Sequence, residues 1–328
     1  MKVSLRQAAP QGCDARGSDT FIEFYGGRST TPAYGSASAS DSVVSDGTKL
    51  SLRGLLHYLW DQAKLTRWHP GFAGKRSWAT VRGHLLHAAE NKIARGGALD
   101  ARLYIPEVFS VGQRDVINAR RVAQWAHAVA APGMPQHLML LIAEVKEITP
   151  SRYGFKVIIK HLPDQAFAIN EKLYRRLGRR FESELSLWGA AGNLHMVMIA
   201  TFGISTTGLP AVAELSLMPV TSQWVPIEDG FEQQLIERLA RDGRSFVKGL
   251  RYNLPREQPV TTAVLTDIGD SPVALWVTLR DSADEPRDFA IQGVEADSPP
   301  VWVWRAAKES MPPLPPQLRQ IGTAQPVR

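Results

Sequence analysis

The sequence predicts an α+β protein, and three observations carry that prediction. Residues 51–130 place apolar side chains at helical spacing, and residues 137–220 group β-rich runs around one strongly amphipathic stretch. Residues 229–305 open on a helical pattern and continue in short β-rich runs. A chain of 328 residues, 44% of them hydrophobic, is long enough for about two domains with real cores.

In chain order, residues 1–47 are expected to be a flexible N-terminal segment. TTPAYGSASASDSVVSDG (30–47) is a Ser/Ala/Gly linker by composition, and TFIEFYGG (20–27) alternates like a strand with no partner nearby. A basic helical region is expected over 48–135. Its first helix, about 51–65, aligns Leu52, Leu55, Leu56, Leu59 and Trp60. Its second, about 77–92, starts at the N-cap Ser77 and turns Val81, Leu85 and Ala88 inward. Between them, Pro70, Gly71 and Gly74 break the helix, and a third helix is read over 113–130.

An α+β block follows over 136–226. Strands are read at 137–148, 154–162, 193–204 and 210–220. They form an antiparallel sheet with one packed helix over 171–188, capped by Asn170 and striped by Leu173, Leu177, Phe181, Leu185 and Trp188. In the last module, 227–310, a helix (229–243) leads through the connector FVKGLRY (246–252) to the strands AVLTD, VALWVTL and VWVWR. The Pro-rich tail 311–328 is expected to be irregular, a possible contact for a protein partner.

The net charge is +6, and its placement says more than its size. Residues 49–121 carry 13 Lys/Arg against 5 Asp/Glu, whereas the stretches on either side each carry one excess acid. A localised basic field suits a polyanion such as DNA or RNA, although a solubilising surface has the same composition. The lone Cys13 excludes an internal disulfide and a cysteine zinc knuckle, which fits a reducing cytoplasm. No secretory h-region and no membrane-length apolar run is present, so no membrane partner is expected.

Several side chains are candidates for phosphate contact. Arg175, Arg176, Arg179 and Arg180 gather at i,i+4 spacing opposite the apolar stripe of their helix, and guanidinium forks match phosphate oxygens. Lys75, Arg76 and Arg82 surround the GFAGKR loop, and Lys248 and Arg251 lie in FVKGLRY. That loop is not a P-loop, since position 69 is His and position 76 is Arg; its GxxG lies in a longer connection than the clamp of KH domains uses. His84, His87 and Glu90, with His57 and Asp61, have spacing that a zinc ion accepts, but histidines held by hydrogen bonds or facing solvent share it. No nucleophile elbow and no dinucleotide fingerprint is present.

The final module resembles the restriction-endonuclease-like fold in a degenerate form. That fold holds divalent metal between a helix Glu, a strand-end Asp and an acid on the next strand. Glu232 and Asp267 stand in the first two places, but the next strand reads Trp276-Val277-Thr278-Leu279-Arg280 and leaves only Asp270 in the turn. An active nuclease would use Glu232, Asp267 and Asp270 with Mg²⁺; otherwise no cofactor is expected.

LRGLLHYLWDQAKLTRW, GKRSW, EVKEITPSRYGFKVIIKHLPD, RRFESELSLW, RSFVKGLRYNLP, VWVWRA and MPPLPP occur in order between residues 48 and 317. They resemble an uncharacterised bacterial family, a domain of unknown function commonly encoded on integrative conjugative elements, genomic islands and plasmids. The resemblance implies an accessory protein of a mobile element and assigns no catalytic residue. With the charge pattern, the expectation is binding to nucleic acid rather than catalysis.

Overall fold

A computed structural model describes residues 50–94, 97–130, 137–152, 154–252, 259–269, 271–279 and 299–317, with the backbone of 3–7 and 20–24. Strands β1 (Val3–Gln7) and β2 (Thr20–Phe24) pair antiparallel, so the segment expected to be flexible supplies two strands. The 30–47 linker lies outside the described residues. Helix α1 (Leu52–Gln62) is capped by Ser51, whose side chain accepts from the Gly54 N–H. Strand β3 (Arg67–Trp68) precedes α2 (Trp78–Ala89), where Ser77 caps as expected. Then come β4 (Lys92–Ala94), β5 (Gly97–Ala98), α3 (Leu99–Arg102), β6 (Leu103–Tyr104) and α4 (Arg114–Trp125). Strand β2 runs parallel to β4, completing a small four-stranded sheet.

The middle of the chain departs from the expected antiparallel sheet in three ways. Strands β7 (Met139–Ser151) and β8 (Gly154–Ile159) form the predicted hairpin, but LPDQAFAI then makes a further strand, β9 (Leu162–Ile169). The predicted 171–188 helix is two helices, α5 (Glu171–Arg180) and α6 (Glu182–Ala190), broken at Phe181. Leu173, Leu177 and Phe181 enter one core while Leu187 and Ala191 pack against another, which one straight helix face does not serve. Third, the sheet is mixed. After β10 (His195–Ile204) and β11 (Pro210–Val220), β11 meets β9 in parallel and β10 meets β7, so β7-β8-β9-β11-β10 closes on itself as a barrel. Strand β6 adds to β7 in parallel.

The barrel encloses Val157, Phe167, Met198, Phe202 and Leu217, with α5 packed against this core. The other face of β7, β10 and β11 carries Leu140, Ile142, Val197, Ile199 and Val220, and α1 and α2 cover it. This alternation is the two-residue period of a strand buried on both sides.

Helix α7 (Gly230–Arg241) is capped by Asp229, which accepts from the Phe231 and Glu232 N–H groups. FVKGLRY, expected as a connector, begins as strand β12 (Phe246–Lys248). Strands β13 (Ala263–Leu265), β14 (Val273–Thr278) and β15 (Val301–Arg305) extend it in the order β15-β14-β13-β12-β3, with β14 and β15 parallel. Strand β3 joins this sheet from the N-terminal helical region and Leu250 joins the core under α1, so the boundaries drawn at 136 and 227 are crossed by shared cores. The tail is packed over 311–317: Trp302 Nε1–H donates to the Pro313 carbonyl and Arg244 to that of Pro315. Trp304 is buried and donates to the Glu309 carbonyl. No helix of the described residues is long and apolar enough to cross a membrane.

Candidate functional site

The structure sorts the candidate cations into those facing solvent and those built into the fold. Arg76 belongs to the second group. Its guanidinium donates to the Leu65 carbonyl at 3.1 Å and also to those of Gln223 and Arg67, and it lies over the rings of Trp68 and Phe72. Burial lowers its pKa to about 10. Arg82 donates to the Ile105 carbonyl at 3.0 Å, while Lys75 is exposed. Lys248, expected to meet phosphate, is instead buried. Arg251 is half-buried, and its carbonyl accepts from His57 Nδ1–H at 3.0 Å. Burial, then the Arg53 charge, depresses the His57 pKa to about 3, so this ring is neutral.

Much of the excess charge of 49–121 is also engaged. Arg53 pairs with Glu184, Arg114 with Asp164 and Arg120 with Glu107, and Arg121 donates to Gln165. His87 meets Glu90 on the surface, and among the described residues no three His, Cys, Asp or Glu are placed to hold a metal ion.

Helix α5 differs. Asn170 caps it by accepting from the Leu173 N–H, and Leu173 and Leu177 turn into the barrel core. At about 100° per residue, Arg175, Arg179, Lys172 and Arg176 then share one arc of the outer face, and all four are exposed. Glu171 bounds that arc and pairs with Arg175 at 2.5 Å. Arg180 sits at the flank, over the Phe181 ring, with its pKa lowered by partial burial against the pull of Glu214 and Glu184.

The C-terminal acids are separated rather than gathered. Glu232, on the first turn of α7, faces Lys248 of β12, whose Nζ lies 3.2 and 3.4 Å from the two carboxylate oxygens. Burial raises the Glu232 pKa to about 7, opposed by the Lys248 charge and reinforced by Glu228 and Asp229. Asp267 accepts two bonds from Arg244, at 2.8 and 2.9 Å, and a third from the Ser245 N–H. Ser245 and Lys248 are three residues apart along the chain, roughly 10 Å at ~3.3 Å per residue. Asp270 lies outside the described residues.

A further cluster has no counterpart among the sequence candidates. Buried Glu144 of β7 accepts from Lys160 Nζ at 2.8 Å and His195 Nδ1–H at 2.6 Å, with His161 Nε2 at 3.4 Å. His195 stacks on Trp224 at 4.2 Å and His161 on Trp78 at 5.5 Å. Trp224 holds φ +60°, an uncommon backbone for a bulky residue. Desolvation opposes ionisation of Glu144, but the contacts of His161, His195 and Lys160 together hold its carboxyl well below the usual range. One signal was present in the sequence: Leu140, Ile142 and Glu144 share a strand face, and an acid on an apolar face must have partners.

The fold and these sites define a mixed α+β protein built around a closed barrel, with a cationic helix face and two buried carboxylate clusters. The profile of a protein family of unknown function, DUF1173, matches residues 21–307, and the chain belongs to that family. No curated protein and no solved structure matches it.

Proposed function

We propose that the protein is a nucleic-acid-associated factor that acts by binding, with the outer face of α5 as its contact surface. The observation carrying this reading is the exposed arc of Lys172, Arg175, Arg176 and Arg179 on a helix whose opposite face is anchored in the barrel. Four cations on one rigid face offer successive phosphates bidentate and point-charge partners. Exposed Lys75 is a further contact, and service to a mobile genetic element belongs to the same proposal. Fluorescence anisotropy with labelled DNA and RNA, single- and double-stranded, tests it. Binding is expected at low salt, and Arg175→Glu/Arg176→Glu/Arg179→Glu lowers the slope of log K against log salt for duplex DNA by about three. Absence of low-salt binding, or an unchanged slope in the variant, overturns the reading.

A second reading, a metal-dependent nuclease in the last module, has the layout in its favour. Helix α7 leads into a β12-β13-β14 meander with β15 parallel to β14, and parallel pairing demands a crossover between those strands. That crossover falls at 280–298, outside the described residues. Mg²⁺ would need Glu232 and Asp267 together with a third oxygen ligand. Each carboxylate is instead engaged by its own cation at a separate place in the sheet, and these residues do not fit the ion. Plasmid incubated with Mn²⁺ is expected to stay intact; nicking abolished by Glu232→Ala overturns that expectation.

A further inference from the structure

The misfit of a metal ion and the burial of Lys248 have one explanation. Lys248 Nζ lies 2.9 Å from the Gly249 carbonyl and 3.2 and 3.4 Å from the Glu232 oxygens. An ammonium has three N–H donors and no acceptor, so these oxygens provide its hydrogen bonds. A hard divalent cation seeks the same oxygen set.

The pocket is built rather than incidental. Glu232 is held from behind by the Glu228 N–H at 2.9 Å, and its own N–H donates to the Asp229 cap. The Gly249 carbonyl is fixed because a Cβ at that residue would come within 1.8 Å of the Thr261 carbonyl oxygen, so the two backbones cross in contact. The Lys248 N–H is used as well, donating to the Thr66 carbonyl at 2.9 Å. Charge decides the occupant. Lys248 already presents its charge to Glu232, and a divalent ion placed beside it would meet the repulsion of a buried ammonium in a poorly solvated place.

We propose that Lys248 is the built-in cation of this module: its ammonium stands where a divalent ion would sit between α7 and β12 and completes the pocket without metal. The inference rests on the geometry of the α7–β12 pocket and not on the α5 surface, so loss of nucleic-acid binding leaves it untouched. It implies that α7 is fastened to the sheet in chelator as firmly as in Mg²⁺.

Lys248→Met removes the ammonium and, being one atom shorter, frees the position of Nζ beside the Glu232 oxygens. The test compares thermal unfolding and Mn²⁺ uptake, read by the paramagnetic resonance of free Mn²⁺, in the unaltered protein, in Lys248→Met and in Lys248→Met/Glu232→Gln. The unaltered protein is expected to show no Glu232-dependent uptake, and its unfolding temperature to be the same in Mn²⁺ and in chelator. Lys248→Met is expected to unfold at a lower temperature in chelator and to recover in about millimolar Mn²⁺, and the double variant to lose that recovery. If Lys248→Met folds only when Mn²⁺ is supplied, the proposal stands. Failure to fold with and without Mn²⁺, an Mn²⁺ response that survives in the double variant, or uptake by the unaltered protein that Glu232→Gln abolishes would each overturn it.

Discussion

Glu144, in the barrel wall, and Glu232, on the first turn of α7, are both buried carboxylates facing cations, yet the fold drives them in opposite directions. Glu144 accepts from Lys160, in the turn after β8, and from His195 of β10, with the His161 ring close by, and its carboxyl is held far toward the ionised form. Glu232 has one ammonium and the Glu228 N–H, and beside it stand the acids Glu228 and Asp229, so burial prevails and its pKa rises to about 7. Desolvation acts on both; the kind of donor and the sign of the neighbours decide the outcome. The barrel cluster is thus a fastening stable over a wide pH range, and the α7 pocket is poised near neutrality with a single cation holding it.

The most damaging way to break this comparison is to move the strand that carries Lys248. Gly249→Ala places a Cβ against the Thr261 carbonyl oxygen, where backbone meets backbone and no side chain can swing aside. A loss above about 4 kcal/mol is expected, at the extreme of single substitutions, measured by urea unfolding of the purified protein. A variant within 1 kcal/mol of the parent (roughly the ordinary effect of a point mutation) would mean that β12 and residue 261 do not cross so closely. The Glu144 side is expected to give less. Glu144→Gln keeps the shape but removes the charge, leaving His195 and Lys160 partly exposed and able to find water. A loss of about 2 kcal/mol follows from charge-assisted bonds reduced to neutral ones. The same denaturation series checks it, and no loss would show that His195 and Lys160 do not act on this carboxylate.

How much of this could be read from the sequence depended on how far apart the partners lie. The caps Ser77 and Asn170 and the apolar stripes of α1, α2, α5 and α7 are local, and the chain displays them directly. Strand β9 was missed because PDQ interrupts its alternation, and the break at Phe181 because the helical pattern continues through it. β12 hid in a short basic-aromatic run whose strand character comes only from pairing with β3 and β13. The charge count of 49–121 misled for a related reason. It shows Arg53 as one more cation, but not that Glu184, 131 residues later, takes it up. Glu144 and His195 are 51 residues apart, so their meeting is a product of barrel closure and not of any motif.

The smallest expected effect, and the sharpest test of the comparison, is the pH dependence of stability. For Glu144 the folded pKa lies below the ordinary value of 4.5, so its contribution is complete above that value and is lost as pH falls. For Glu232 the folded pKa is the higher one, so the unfolded chain releases its proton first; its contribution is complete below 4.5 and is lost as pH rises toward about 7. His57, neutral in the fold, adds a slope between its ordinary 6.5 and about 3 that has the sign of the Glu144 slope and opposes that of Glu232, and it overlaps both windows. The measurement is therefore a difference between each variant and the parent, by urea unfolding at a series of pH values. Glu144→Gln should remove slope only on the acid limb, and Glu232→Gln only between 4.5 and about 7, each by no more than about 1.4 kcal/mol per pH unit, the limit for one proton. Difference curves of the same sign for the two variants would show that the two carboxylates are not driven apart, whatever their surroundings suggest.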